Sequence, residues 1–299
     1  MLKKILGYGM VLSFFALVAV GCGGSQDGYI EVRGSDTMVN LGQHWAEEYM
    51  EKNPQTTISV TGGGSGTGIA AIQDDNVDIA QSSRDITDSE MENAASNNVE
   101  INEFVVGQDG LAVVVHPDNP VKELTVKELK DIFTGKVTDW EELGWEDGGE
   151  ISVYSRQSNS GTYVYFWENI LDQEDWANDT KYMSGSSAIY EGISSDKAGI
   201  GYFGVGYVDS GVNAVNVGLS SEGPFVTPLE SSNIDDGSYP IARPMYFYVN
   251  GTPEGELLEY LKWVLSSEGE KVLGDTGFYA LTQEYIDVNN QTFNELGIE

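Results

Sequence analysis

The chain has 299 residues, 40% of them hydrophobic, which is enough to bury the cores of one large or two medium globular domains. Its formal net charge of −33 excludes the basic footprint that a nucleic-acid-binding protein needs, so no nucleic acid partner is expected. Because the acidic residues are spread along the whole chain, we interpret them as a halophilic surface that keeps a protein soluble at high salt, with a cation-binding patch as the alternative.

The N-terminus is typical of an export signal. Lys3 and Lys4 precede the apolar run Ile5–Val20, and small residues then lead to the only cysteine, Cys22. This pattern predicts a lipoprotein signal and tether over residues 1–27, with Cys22 lipidated after cleavage. An uncleaved membrane helix is the alternative, for which the apolar run is short. We therefore expect the protein at the cell surface or in the periplasm, anchored by lipid to the outer face of the cytoplasmic membrane.

Strands, polar turns and helices alternate after the tether. Strands are predicted at Tyr29–Val32, Thr56–Val60 and Val77–Ala80, and each runs into a turn rich in Gly, Ser and Thr. This recurrence predicts an α/β fold with mostly parallel sheets. In such sheets ligands bind beyond the carboxyl ends of the strands, which is where the polar turns fall.

Apolar segments predict the remaining elements. The predicted elements are buried strands at Phe104–Val106 and Leu111–Val115, a helix at Val126–Phe133, strands at Lys197–Phe203 and Ile241–Val249, and one helix over Leu257–Val272.

The stretch Ile151–Leu171 has the clearest features of a binding site. A β-prone run leads into a polar turn with Arg156, Ser160, Gly161 and Thr162, and a helix with an apolar stripe follows. Ser160 is predicted to cap that helix. A helix N-terminus beside two hydroxyls and a guanidinium suits a tetrahedral oxyanion. The alternative is an ordinary strand-to-helix turn with a capping serine and a solvated arginine.

Several catalytic motifs are excluded. A phosphate-binding P-loop would need Lys in place of Ile69, and the loose dinucleotide fingerprint over residues 66–71 is an isolated match. The only two histidines, His44 and His116, lie outside the polar turns, which argues against a Ser-His-acid triad. No Cys/His cluster has metal-ligand spacing, so neither a metal nor another cofactor is expected. The turns therefore offer hydrogen-bond donors that hold an anion without reacting with it. Three of the four arginines lie in or beside these turns, namely Arg33, Arg84 and Arg156.

The motifs taken in order resemble the phosphate-binding lipoproteins that serve as substrate-binding subunits of ABC phosphate importers, a family of type II periplasmic binding proteins. The segments that carry the resemblance are Gly34-Ser35-Asp36-Thr37-Met38, Gly62-Gly63-Gly64-Ser65-Gly66, Asp78-Ile79-Ala80-Gln81-Ser82-Ser83-Arg84, Ile132-Phe133-Thr134-Gly135-Lys136 with Trp140, Arg156-Gln157-Ser158-Asn159-Ser160-Gly161-Thr162, and Gly199-Ile200-Gly201-Tyr202.

The resemblance covers Tyr29–Leu281 and implies a two-lobed α/β fold. Each lobe is a mostly parallel sheet flanked by helices, and the ligand lies in the cleft between the lobes. The implied division is residues 28–108 plus 244–299 for lobe I and 109–243 for lobe II. Hinges near Gly107–Gly110 and Tyr239–Pro244 would let the lobes close over the anion.

The resemblance also implies the site residues. Phosphate would meet the Thr37 hydroxyl, the Met38 backbone N–H and Ser65 from one lobe. The other lobe would supply Arg156, Ser160, Gly161 and Thr162.

This chain departs from the family at Ser83. Well-known members carry Asp there, which accepts the proton of hydrogen phosphate and repels sulfate, so discrimination from sulfate is left open. Ser83 is an uncharged acceptor, and Asp36 or Asp85 are candidates for the missing charge. Arg84, the next residue, is a candidate positive donor.

The expected function is capture of inorganic phosphate for an ABC importer, by a monomer that catalyses nothing and passes the ion to the permease subunits in the membrane. One alternative is the same scaffold tuned to sulfate, molybdate or tungstate. A second is a phosphate-ester hydrolase with Ser65 or Ser160 as nucleophile, although the sequence offers no base beside either serine. A third is a phosphate sensor without a transporter.

Overall fold

The structure of the protein is a computed structural model that describes residues 28–298. The predicted signal and tether, with the lipidation candidate Cys22, lie outside the described residues. Within residues 28–298 no helix is both long and apolar enough to cross a membrane.

A mixed sheet runs through the whole described part of the chain. The strands are β1 (Tyr29–Gly34), β2 (Thr57–Thr61), β3 (Ile79–Ser82), β4 (Ile101–Val115), β5 (Glu123–Thr125), β6 (Ser152–Arg156), β7 (Lys181–Met183), β8 (Gly199–Gly204), β9 (Asn213–Ala214), β10 (Asn216–Gly218) and β11 (Ala242–Asn250). Their order in the main sheet is β2-β1-β3-β11-β4-β8-β6-β7, with β9 beside β4, while β5 and β10 form a separate pair.

Helices flank this sheet. They are α1 (Val39–Lys52), α2 (Ser65–Gln73), α3 (Asp88–Ser96), α4 (Val126–Phe133), α5 (Gly161–Asn169), α6 (Ser186–Ser195), α7 (Ser231–Asp235), α8 (Gly255–Val264), α9 (Ser267–Asp275) and α10 (Gln283–Glu295). Short 3-10 turns occupy Asp36–Met38, Trp140–Leu143 and Val205–Tyr207.

Strand β4 belongs to both halves of the sheet. Its first part pairs with β11, placing Arg243 opposite Asp109, and its second part pairs with β8. We use lobe I for the part built on β1, β2, β3, β11 and the first half of β4, and lobe II for the part built on the second half of β4, β6, β7 and β8. The prediction of two short strands here was wrong, because residues 107–110 stay extended and buried and complete a single 15-residue strand.

The parallel pairings confirm the α/β fold. β1 pairs in parallel with β2 and β3 in lobe I, and β6 pairs in parallel with β7 and β8 in lobe II. The pairings that join these two groups are antiparallel: β11 pairs antiparallel with both β3 and β4, and β4 pairs antiparallel with β8. The carboxyl ends of β1, β2 and β3 therefore open on one edge of the sheet, with α1 and α2 starting close behind them.

Each lobe has its own hydrophobic cores. In lobe I, α1 buries Leu41, Trp45 and Tyr49, and the indole N–H of Trp45 donates to the Gly269 carbonyl at 2.8 Å. In lobe II, the rings of Phe166 and Tyr202 stack with centroids 4.0 Å apart. Full burial of a large apolar side chain contributes about 1.5–3 kcal/mol, so these clusters hold the strand ends in place.

The predicted helix over Leu257–Val272 is two helices. α8 ends at Val264 and α9 begins at Ser267, and the Ser266 hydroxyl between them accepts from the Glu268 N–H. A capping serine offers the backbone an alternative partner, so it ends one helix and starts another within an apolar periodic run.

Candidate functional site

Four polar turns meet at the carboxyl ends of β1, β2, β3 and β6. Three buried serines join the turns of lobe I. The Ser35 hydroxyl donates to Ser83 Oγ at 2.9 Å, and the Ser83 backbone N–H donates to Ser65 Oγ at 3.1 Å. All three serines are at most 1% exposed. The turns predicted from separate places in the sequence therefore form one polar surface on lobe I.

Two threonine hydroxyls link that surface to lobe II. The Oγ1 atoms of Thr37 and Thr162 lie 2.8 Å apart, and both residues are fully buried. Thr37 follows β1, and Thr162 lies in the first turn of α5. The two hydroxyls therefore mark the point where the lobes meet.

Arg156 lies at the end of β6 and is 1% exposed. Its Nη2 donates to Asp36 of lobe I and to the Ser184 carbonyl, and its Nη1 donates to Ser186 Oγ at 3.4 Å. The Nε–H has no acceptor among residues 28–298. An unsatisfied buried donor costs about 1–3 kcal/mol, so this N–H favours an additional acceptor such as an anion oxygen.

The N-terminus of α5 is built as the sequence predicts. Ser160 is its N-cap, and the Ser160 hydroxyl accepts from the Tyr163 N–H at 3.3 Å. The N–H groups of Gly161 and Thr162 belong to the first turn, where no helical carbonyl is available to them. Glycine is required at 161, because a Cβ there would collide with the Ser65 hydroxyl. The helix N-terminus therefore sits directly against the serines of lobe I.

The turn before α5 also contacts lobe I through its backbone. The Asn159 carbonyl accepts from the Gly66 N–H at 3.0 Å, and Asn159 Nδ2 donates to the Gly63 carbonyl at 2.7 Å. A Cβ on Gly64 would lie 2.5 Å from the same Asn159 carbonyl. The two lobes are therefore closed on each other around the polar turns.

Two of the site residues predicted from the sequence, Met38 and Arg84, have their donor groups bound elsewhere in the structure. The Met38 backbone N–H donates to the Ser35 carbonyl at 3.1 Å, and the Met38 side chain packs in the lobe I core. The Arg84 guanidinium makes a two-point ion pair with Glu90, at 2.7 and 2.8 Å. Arg84 is therefore not among the side chains that the structure brings together at the serines.

Arg84 pairs with Glu90 because Thr87 holds the Glu90 carboxylate in place in the capping box of α3. Burial alone would raise the pKa of Glu90, but hydrogen bonds from Arg84 and Thr87 hold that pKa below its ordinary value. Burial alone would lower the pKa of Arg84, and the bond to Glu90 outweighs it and raises the pKa. Each group therefore stabilises the charge of the other.

Asp36 and Asp85, the two carboxylates considered as acceptors, have different surroundings. Asp85 is exposed and accepts from the Tyr246 hydroxyl, whose pKa is raised by burial and by Asp85. Asp36 pairs with Arg156 at the lobe junction, and its backbone carbonyl accepts from the Tyr207 hydroxyl at 2.7 Å. Burial, with Asp36 nearby, raises the pKa of Tyr207 to about 12. Only Asp36 of these two lies beside the cationic group of the site.

Arg243 and Asp109 are site residues that the sequence reasoning missed. Arg243 is 3% exposed, its Nη1 donates to the Ser83 carbonyl at 2.9 Å, and its Nη2 donates to Thr162 Oγ1 at 2.9 Å. Asp109 is fully buried and forms an ion pair with Arg243. Arg243 lies in an apolar run, so composition gave no warning. Its position opposite Asp109 on the neighbouring strand is the signal, and that requires knowing the strand register.

The serines have no general base beside them in the described part of the chain. Ser65 Oγ contacts Ser83, and Ser160 Oγ accepts from Tyr163. His116 accepts from the Asp118 N–H, and His44 lines a separate groove of about 530 Å³ on lobe I with Lys52 and Trp263. No group of three His, Cys, Asp or Glu in residues 28–298 is arranged to hold a metal ion.

Two closed α/β lobes around a buried, donor-rich polar site define a solute-binding protein of the periplasmic-binding-protein class. A family model described as a PBP superfamily domain matches residues 23–268. The phosphate-binding protein PstS of Pseudomonas aeruginosa is 32% identical, with 89% of this chain and 86% of that protein covered. The PstS of Staphylococcus saprophyticus is 28% identical, with 94% and 91% covered. The chain belongs to the PstS family of phosphate-binding proteins, which are binding proteins and not enzymes.

Solved structures agree with this assignment. A putative phosphate ABC transporter substrate-binding protein from Clostridium perfringens, with bound phosphate, has a TM-score of 0.77 and 29% identity, covering 85% of this chain and 100% of that one. An ABC-type phosphate transport receptor from Vibrio cholerae has a TM-score of 0.67 and 27% identity, covering 84% of this chain and 100% of that one. The predictions of the family and of the type II fold are thereby confirmed.

Proposed function

We propose that this chain captures inorganic phosphate between its two lobes and delivers it to the membrane subunits of an ABC importer. The observation that carries the proposal is a set of buried donors: the Arg156 Nε–H, which has no acceptor among residues 28–298, the adjacent hydroxyls of Thr37 and Thr162, and the N-terminus of α5. These groups are hydrogen-bond donors from both lobes, as an oxyanion requires. The phosphate-binding relatives and the phosphate-bound structure from Clostridium perfringens support phosphate as that oxyanion.

The proposed ligands are donor groups of the polar turns and of the first turn of α5. They are the hydroxyls of Thr37, Ser65, Ser83 and Thr162, the first-turn N–H groups of Gly161 and Thr162, and the Arg156 guanidinium, with Ser160 holding α5 in place. Met38 contributes its backbone N–H only if its bond to Ser35 shifts when the anion binds. Each charge-assisted hydrogen bond contributes about 1.5–3 kcal/mol, and a few of them account for micromolar affinity, about −8 kcal/mol.

The experiment is calorimetry with phosphate, sulfate, molybdate and tungstate at equal concentration and fixed ionic strength. We expect phosphate to bind most tightly. A preference for sulfate would overturn the assignment of phosphate and favour the same scaffold tuned to another oxyanion. That alternative deserves a direct comparison because Ser83, an uncharged residue, follows β3 at the site.

A phosphate-ester hydrolase is the second candidate, and the site speaks against it because Ser65 and Ser160 contact no base among the described residues. Turnover of a phosphate ester that is lost on Ser160→Ala would revive this candidate. A phosphate sensor without a transporter would use the same site, and a failure of purified permease subunits to take phosphate from the loaded protein would favour it.

The proposal extends to the organisation and anchoring of the chain. We propose that residues 28–108 with 244–299 form lobe I and residues 109–243 form lobe II. The hydrophobic clusters support this division, with Val205 and the half-buried Tyr279 as the residues that pack across it. The lipid anchor on Cys22 predicts labelling by fatty acid that Cys22→Ala abolishes.

The acidic surface predicts a free energy of unfolding that rises with KCl concentration.

A further inference from the structure

The ion pair between Asp109 and Arg243 lies where β4 and β11 pass between the lobes. The two residues face each other across the antiparallel pairing, and their side chains are 0% and 1% exposed. Asp109 Oδ2 accepts from Arg243 Nε at 3.0 Å and from Nη2 at 2.8 Å, while Asp109 Oδ1 accepts from the Val205 N–H at 2.9 Å. A buried guanidinium without a partner would be strongly destabilising, so this carboxylate fixes the guanidinium in one position.

The fixed guanidinium reaches both lobes. Nη1 donates to the Ser83 carbonyl of lobe I, and Nη2 donates to the Thr162 hydroxyl of lobe II, each at 2.9 Å. The ring of Tyr165, on α5 of lobe II, lies 5.3 Å from the guanidinium carbon. A rotation of Thr162 away from Ser83 therefore has to break a bond to Arg243 or move the buried pair.

The direction of the Thr162 bond decides what its hydroxyl does. A guanidinium only donates, so Thr162 Oγ1 accepts from Arg243 and its own O–H is left to donate elsewhere. Thr37 Oγ1 lies within hydrogen-bond distance at 2.8 Å, and either hydroxyl of this pair can be the donor. A donor that itself receives a charge-assisted bond is polarised and donates more strongly.

We propose that Arg243 is a positioning residue for the anion site, which orients the Thr162 hydroxyl as a donor toward the anion and ties that contact to the strands connecting the lobes. Asp109 in turn orients Arg243. The inference rests on the proposed function, because it specifies how the same site holds phosphate.

The test is a double-mutant cycle with Arg243→Gln and Thr162→Val, with phosphate affinity measured by calorimetry at fixed salt. Arg243→Gln alone is expected to weaken phosphate binding about tenfold or more, as loss of a charge-assisted contact does. If Arg243 acts through the Thr162 hydroxyl, the double variant binds no more than about threefold more weakly than the worse single variant. If the fold-losses of phosphate affinity in the two single variants multiply in the double variant, the inference is overturned. An Arg243 that acts independently of Thr162, or only in maintaining the fold, predicts that result.

A matched arginine gives the control. Arg33 lies in β1 beside the first polar turn, but its side chain is 36% exposed and pairs with Glu31. Arg33→Gln is expected to leave phosphate affinity within about twofold, whereas a loss equal to that of Arg243→Gln would indicate a general charge effect and overturn the inference.

The folding of Arg243→Gln is a separate concern, because it leaves the Asp109 carboxylate buried without its partner. If that variant does not fold, the cycle is run with the paired change Asp109→Asn/Arg243→Gln in place of Arg243→Gln, so that both buried charges are removed together. If the wild-type chain binds no phosphate, the proposed function fails and the inference fails with it. If it binds phosphate and the losses multiply, only the inference fails.

Discussion

Arg156 and Asp36 form an ion pair from one lobe to the other, although 120 residues separate them in the chain. The Arg156 side chain is 2% exposed and the Asp36 side chain 19% exposed. The guanidinium that supplies positive charge to the site is therefore shared with a carboxylate. An anion that binds here meets both charges, which bears on affinity and on selectivity.

Arg156→Gln should weaken phosphate binding by about 2–5 kcal/mol, because a desolvated anion then loses its charged donor. Calorimetry at fixed salt measures this loss. Binding unchanged within error would contradict the central place given to Arg156. Unfolding in urea should accompany the measurement, since the variant also leaves Asp36 without its partner.

Asp36→Asn should favour sulfate over phosphate relative to the wild-type chain. A carboxylate repels a fully ionised anion and accepts the proton of hydrogen phosphate, and asparagine does neither with comparable strength. We expect the ratio of the phosphate and sulfate dissociation constants to change about tenfold, which corresponds to about 1.4 kcal/mol. An unchanged ratio would assign selectivity to another group.

Gly206→Ala should weaken phosphate binding without touching any proposed ligand. The segment Val205–Tyr207 follows β8 and packs on lobe I, and a Cβ on Gly206 would lie 2.6 Å from the Phe278 ring and 2.7 Å from the Thr276 carbonyl. The methyl group therefore opposes the closed arrangement. Small-angle scattering with saturating phosphate should show a larger radius of gyration than for the wild-type chain.

Gly274→Ala is the matched control for this glycine. It lies in α9, where an added Cβ has no neighbouring atom of residues 28–298 within 4 Å. Its phosphate affinity and scattering profile should match those of the wild-type chain. If Gly206→Ala behaves in the same way, the contact at Gly206 has no role in closure.

Arg84→Gln should lower stability and leave phosphate affinity unchanged. Its partner Glu90 and the capping box of α3 lie outside the hydroxyl cluster, and loss of the charge-assisted bonds costs about 1–3 kcal/mol. Urea unfolding and calorimetry at pH 7 measure the two quantities. A fall in phosphate affinity would contradict this prediction and assign Arg84 to the phosphate site.

The pH dependence of the same pair has a definite sign. The pKa of Glu90 lies below its ordinary value of 4.5 in the folded chain. Its contribution to stability is therefore present above pH 4.5 and is lost as the pH falls through the folded pKa. The difference in unfolding free energy between the wild-type chain and Glu90→Gln should be largest near neutral pH and shrink in acid. A difference that stays constant down to pH 3 would contradict the assignment.

Sequence patterns predicted the location of the site reliably. They were less reliable in predicting which side chains line it. The turns after β1, β2 and β3 were found because parallel strands bring their carboxyl ends to one edge of lobe I, and the turn after β6 ends a parallel strand of lobe II that meets that edge. Arg84 was included because it lies in one of those turns, but position in a turn does not fix the direction of a side chain. Glu90, six residues on, binds its guanidinium instead.

Arg243 shows the opposite failure. It lies within Ile241–Val249, which reads as an ordinary buried strand, and nothing local marks it as functional. Its role depends on β11 lying beside β4 with Asp109 opposite, a relationship between segments 134 residues apart. Pairing at that separation is set by the whole sheet, so local periodicity does not reveal it.

The place of β11 between β3 and β4 also bears on the order in which the molecule assembles. The strands of lobe II follow one another without interruption, so this lobe is available to fold as soon as its stretch of chain has been made. Lobe I lacks a central strand of its sheet until Asn250 has been added. A nascent chain should therefore pass through a form with lobe II compact and lobe I incomplete, and only the late segment completes both the first lobe and the polar cleft.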